Sequence, residues 1–107
     1  MSPHTQSHHQ GDRATEIIAH EAALFIAREA GTESLITVIK AESMNHGERI
    51  GIFVSVFPIE KAAAALAFLE RQRQPFSDYL KTHTHLRLPR VDFLLENGEH
   101  LGGPGGN

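Results

Sequence analysis

Nine residues between positions 71 and 90 carry side chains suited to holding an anion: Arg71, Gln72, Arg73, Gln74, Lys81, His83, His85, Arg87 and Arg90. A guanidinium fork matches two phosphate oxygens, lysine adds a mobile point charge, and glutamine supplies neutral donors between them. His83 and His85, two apart in His-Thr-His, can stack or donate to phosphate, and a protonated imidazole donates more strongly. The same two imidazoles would share a face on a strand and attract a metal, but two ligands do not close a site. A solvated helix face is the competing reading of such a charge run.

Enzyme chemistry has less to stand on. The chain has no Cys, no Ser in a nucleophile-elbow pattern, no phosphate loop and no carboxylate pair at a working spacing. Asp78 with His83 or His85 is the best general acid and base available. The expectation is a protein without catalytic residues, metal, cofactor or small-molecule substrate.

The distribution of charge sharpens this. The 107 residues hold 10 Lys and Arg against 13 Asp and Glu, a formal charge of −3. Residues 71–90 nevertheless hold five cations and one carboxylate, while residues 1–48 hold three cations and seven carboxylates. Such a patch attracts an anion whatever the total charge. The length suits one modest core. With no Cys, no apolar run near the roughly 20 residues of a membrane span and no signal-peptide pattern, a soluble cytoplasmic protein is expected.

The elements that must position these side chains follow from periodicity. Residues 1–11, with His4, His8 and His9, are polar and read as a disordered tail. Asp12 is placed to cap a helix that runs to Ala30, with Gly31 ending it in the left-handed conformation. Ile18, Ala22, Phe25 and Glu29 mark its inner stripe, broadened by Ile17, Leu24 and Ile26, and Glu16, His20, Glu21 and Arg28 face water. Residues 34–44 and 49–57 read as strands joined by a hairpin at Asn45-His-Gly-Glu. Ile50, Ile52, Val54 and Val56 face the helices, which leaves Phe53 on the opposite sheet face, where an aromatic can stack bases.

Pro58 opens a helix striped by Ala62, Ala65, Leu66 and Leu69. Pro75 breaks it, so two short helices meet at residues 71–75, the second spanning residues 76–83. Residues 90–96 form a third strand, and Asn97-Gly98 leads to a Gly-rich tail. The order, helix, strand, strand, helix, helix, strand, makes an α+β two-layer sandwich, with a three-stranded sheet covered on one face by helices. The domain is expected over residues 12–98, with a flexible tail over 99–107.

That order carries a resemblance. Ile36-Thr-Val-Ile-Lys-Ala-Glu-Ser-Met44, then Ile50-Gly-Ile-Phe-Val-Ser-Val-Phe-Pro58, then Phe76-x-x-x-Leu80 leading to Leu86-Arg-Leu-Pro-Arg-Val-Asp-Phe93, resembles the ribosome-binding factor A family, as does the opening helix with Glu16-Ile-Ile and Arg28-Glu29. The resemblance implies a type II KH-like fold without the Gly-x-x-Gly clamp between its helices, and residues 71–75, where the two helices meet, hold no glycine here either. It also implies a cytoplasmic, monomeric, non-catalytic factor that binds 16S rRNA during maturation of the small (30S) ribosomal subunit and matters most in the cold. Where the family kinks its helices with Ala-x-Gly, this chain has Arg73-Gln74-Pro75. Two other classes remain open: a protein-interaction module using a sheet edge or the Phe53 face, and a His-dependent hydrolase.

Overall fold

The structure, a computed structural model, describes residues 3–86 and 90–96, with side chains from Arg13 onward. Helix α1 spans Pro3–Glu29, strand β1 Leu35–Met44 and strand β2 Arg49–Phe57. A 3-10 turn at Ile59–Lys61 leads into α2, Ala62–Arg71, followed by α3, Arg73–His83, and β3, Arg90–Leu95. The element order is the expected one, and the helices form one layer against the sheet. The expected Gly-rich tail, 99–107, lies outside the described residues.

The sheet order is β1-β2-β3. β1 and β2 form an antiparallel hairpin whose turn has Asn45, His46 and Gly47 all at positive φ, as short polar residues and glycine permit. β3 returns parallel to β2, because the two helices carry the chain back to the starting end of the sheet. Ile39 is the extra residue of a bulge between Val38 and Lys40. It switches the parity of β1, so Ile36 and Val38 before it and Ala41 after it pack on the core, while Ile39 itself is exposed.

Ile50, Ile52, Val54 and Val56 are buried under the helices, as their alternation requires. Their outer-face counterparts include Gly51, where a Cβ would lie 2.7 Å from Met44 Sδ and 3.0 Å from Leu94 Cδ1. The missing side chain lets those two neighbours cover the outer face. Phe53 is half-buried there, with Lys40 Nζ 5.2 Å from its ring centroid.

The helices depart from expectation in four places. α1 begins at Pro3, well before Asp12, since extending a packed helix adds a bond per residue without a new nucleation cost. Gly31 does not take the left-handed conformation, and Ala30 N–H closes the helix on Ile26 O at 2.8 Å. Ile17 and Leu24 are exposed, so the buried stripe narrows to Thr15, Ile18, Ala22, Phe25 and Ile26. The break between α2 and α3 falls at Gln72 alone, and Pro75 sits inside the first turn of α3, where its missing N–H has no intrahelical partner to lose.

Phe76 is the hub of the core. Its ring centroid lies 5.2 Å from Phe25, 6.0 Å from Phe93 and 6.1 Å from Tyr79, and it is fully buried. It therefore joins α1, α3 and β3. Phe76→Ala is expected to cost about 3–5 kcal/mol in urea unfolding, with the slope of the transition unchanged. A loss under about 1 kcal/mol would show that the ring is not the hub of this core.

Candidate nucleic-acid interface

The elbow between α2 and α3 faces the start of β3, and the parallel register decides what meets there. Arg49 pairs with Arg90, and Gly51 with Asp92, so Arg49, Arg90 and Asp92 share one face of adjacent strands. Asp92 is only 5% exposed. Arg49 Nε donates to Asp92 Oδ2 at 2.8 Å, Arg90 Nε donates to Oδ1 at 3.2 Å, and Arg73 Nη1 reaches the same Oδ1 at 3.5 Å from the elbow. Arg73 Nη1 also donates to Glu70 Oε1 at 3.0 Å.

Three guanidiniums thus share one buried carboxylate, and with Glu70 also paired to Arg73 the group keeps a net positive charge. Burial pushes the Asp92 carboxyl up, but the hydrogen bonds and charges of Arg49 and Arg90 outweigh it and hold the group below its ordinary value of 3.8. The carboxylate is ionised at neutral pH and fixes the arginines' stems without cancelling their field.

Beside this cluster is a cleft of about 330 Å3 lined by Glu70, Arg71, Arg73, Gln74, Ser77, Arg90 and Val91. Arg71 is exposed and has no carboxylate partner among the described residues. Gln74 Nε2 donates to Asp78 Oδ1 at 3.0 Å, which aligns the amide along the helix. The backbone N–H of Gln72 donates to Phe68 O and Leu69 O, closing α2. Chemically the cleft offers guanidinium, amide and hydroxyl donors to an anionic backbone, with one carboxylate, Glu70, on its rim.

The remaining candidates lie elsewhere. Lys81 and His83 are at the far end of α3, roughly 12–15 Å along its axis from Arg73. The His83 ring stacks on Tyr79 at 4.0 Å, with Nδ1 2.9 Å from Tyr79 O and 3.0 Å from Thr82 Oγ1. His85 is exposed in the segment after α3, and Arg87 lies outside the described residues. The cations of residues 71–90 do not all converge. Arg71, Arg73 and Arg90 do, with Gln74, and Lys81 does not.

The pairing of the two histidines on one strand face is also overturned, since His83 closes a helix. Asp78 is hydrogen-bonded to Gln74, one turn back, and no hydrogen bond joins it to either histidine among the described residues. Among those residues no group of three potential metal ligands gathers, and no helix is long and apolar enough to cross a membrane.

Sequence reasoning missed Arg49 and the role of Glu21. Arg49 stands far from Arg90 along the chain, and only the parallel register brings them together. Glu21, assigned to the water-facing side of α1, accepts a hydrogen bond from Tyr79 Oη at 2.9 Å, which raises the phenol above its ordinary value of 10.0. The available signal was Asp92 itself, an acid at a strand position flanked by Val91 and Phe93.

A helical layer on a three-stranded mixed sheet, in the order α-β-β-α-α-β and with an elbow facing the last strand, defines a KH-like α+β domain of type II. Among solved structures the chain is similar to ribosome-binding factor A from Thermus thermophilus, with a TM-score of 0.68 and 23% identity. The match covers 79% of this chain and 94% of that one, so the two share a fold over nearly the whole of that protein. No protein-family model and no curated protein sequence matches the chain.

The buried carboxylate makes a testable contribution. Its folded-state value lies below the unfolded one, so its stabilisation is complete above the ordinary carboxylate range and fades as pH falls through the lower, folded value. Asp92→Asn is expected to cost about 2 kcal/mol at pH 7 in urea unfolding and to flatten the stability loss between neutral pH and about pH 3. An unchanged acid limb in the variant would show that another group controls it.

Proposed function

We propose that this chain is a divergent ribosome-binding factor A that binds 16S rRNA of the small ribosomal subunit during its maturation, as a cytoplasmic monomer without catalytic turnover. The observation that carries the reading is the elbow cleft, where Arg71, Arg73 and Arg90 stand with Gln74 and Ser77 around a surplus of positive charge. Folded RNA is recognised largely through backbone, shape and 2′-hydroxyls, so a donor-lined cleft suffices and no base-reading motif is required. The shared fold with the Thermus factor supports the same direction. By the same reading, loss of the protein should be felt most in the cold.

Lys81, His83, His85 and Arg87 belong to this proposal as a second contact beyond the cleft, engaged by a neighbouring part of the same RNA. Gln72 helps to shape the elbow and donates from its side chain. Residues 99–107 are proposed as a tail to a domain of residues 12–98, whose first helix continues back to Pro3.

Binding to small-subunit rRNA should weaken steeply with salt, since each neutralised phosphate releases counterions. Arg71→Ala combined with Arg73→Ala should lower affinity about tenfold and reduce the salt slope by about 1–2 in a filter-binding titration. Arg49 and Arg90 still partner Asp92 in that variant, so its thermal midpoint should stay within a few degrees of the parent. Affinity that ignores salt, or a double variant that binds like the parent, would remove the cleft from consideration.

A second reading has one observation behind it. Phe57 and Leu35 are cross-strand partners yet 72% and 65% exposed, an apolar end of the sheet that suits a protein partner. Co-sedimentation with small subunits that is lost on nuclease treatment favours RNA; retention of protein partners without ribosomal subunits favours the alternative.

A further inference from the structure

A second hollow, of about 270 Å3, lies on the other side of α2 from the elbow cleft. One wall is a helical stripe of Lys61, Ala64, Ala65, Phe68 and Arg71, spaced so that all five share a face. The opposite wall is the connection from α1 into β1, including Gly31, Glu33, Ser34 and Ile36. Three features of this hollow point the same way.

The first is charge. Lys61 and Arg71 stand at the two ends of the stripe, about three turns apart, and neither has a carboxylate partner among the described residues. The second is the floor, made of alanine, isoleucine and one aromatic ring, Phe68, which is only half-buried. The third is continuity, because Arg71 lines both this hollow and the elbow cleft. A linear polyanion held at the elbow therefore meets a guanidinium at the border and a further cation beyond an apolar recess. A recess between two phosphate-binding cations, backed by an aromatic, is the shape that accepts an unstacked base.

The polar groups narrow the choice of base. Glu33 places its carboxylate over Gly31, with Oε1 2.6 Å from where a Cβ would stand, so the acid lies at the edge of the recess. A carboxylate only accepts hydrogen bonds. Cytosine presents an amino donor at N4, whereas uracil presents an acceptor in that position and would face the acid with two unpaired acceptors.

We propose that this hollow is a nucleotide subsite for one unpaired base that carries an exocyclic amino group, as cytidine does and uridine does not, in a single-stranded RNA segment, with phosphates of that strand on Arg71 and Lys61 and the amino group on Glu33. The inference rests on the reading of the elbow as an RNA contact and extends that contact around α2.

The test is amide NMR of the full-length protein titrated with oligocytidylate and oligouridylate of about ten nucleotides, a length that covers both sites. Oligocytidylate should shift the amides of Ser34, Ala64 and Phe68 together with those of Gln74, Ser77 and Arg90. Oligouridylate should shift the elbow group but move the hollow group with about tenfold weaker apparent affinity. Ala64→Gln replaces an exposed residue with a good helix former and fills the recess, so it should abolish the hollow shifts and leave the elbow shifts. Glu33→Gln should erase the preference for cytidine.

Elbow amides that move while the hollow stays silent, or a hollow that answers both polymers equally, would overturn the subsite and leave the elbow contact intact. A hollow that responds while the elbow does not would uphold the subsite and instead remove the elbow from the interface.

Discussion

The cluster at the elbow depends on one carboxylate, Asp92, placed where three guanidiniums can reach it. An unpaired buried acid would be costly, and three arginines packed at one strand edge would repel each other. Each problem solves the other. Because Asp92 lies on β3 opposite Gly51 of β2, its oxygens open toward Arg49 on the neighbouring strand, Arg90 two residues back and Arg73 from the helices. The arrangement keeps long side chains ordered while leaving a net positive field, so less freedom is lost when an anion arrives.

Packing places this electrostatic unit. Phe76, in the first turn of α3, sets its ring between Phe25 and Phe93, and Leu80 follows one turn later into the same core. Tyr79 extends the anchor, donating to Glu21 on α1 while Arg28 stands 5.1 Å from its ring centroid. α3 is thus fastened along its length, and the residues just ahead of Phe76, which include Arg73 and Gln74, inherit a fixed position at the cleft. The anchor of the fold, Phe76, and one cation of the site, Arg73, are thus supplied by neighbouring residues of one helix.

Much of this is legible in the residues. The alternation of Ile50, Ile52, Val54 and Val56 sets the buried face of β2, and Asn45 to Gly47 mark the hairpin by their tolerance of positive φ. What escapes is whatever depends on two distant segments at once. Charge along the chain singles out residues 71–90, but proximity along a helix is not proximity in space: Lys81 rides α3 away from the elbow, while Arg49 arrives from another strand. Pro75 is informative about a break and misleading about its position, since a helix tolerates proline within its first turn. Gly31 invites a left-handed helix end, whereas the helix closes one residue earlier, through Ala30 N–H on Ile26 O.

The junction at Gln72 has a consequence for how this architecture tolerates change. A single residue separates α2 from α3, and each residue advances a helix by about 100° of rotation. Insertion or deletion of one position there would swing the whole of α3 about its axis, turning Phe76 out of the core and Arg73 away from Asp92 together. Length at this point is consequently a stricter inheritance than composition: the side chains around the junction can drift, but their count cannot.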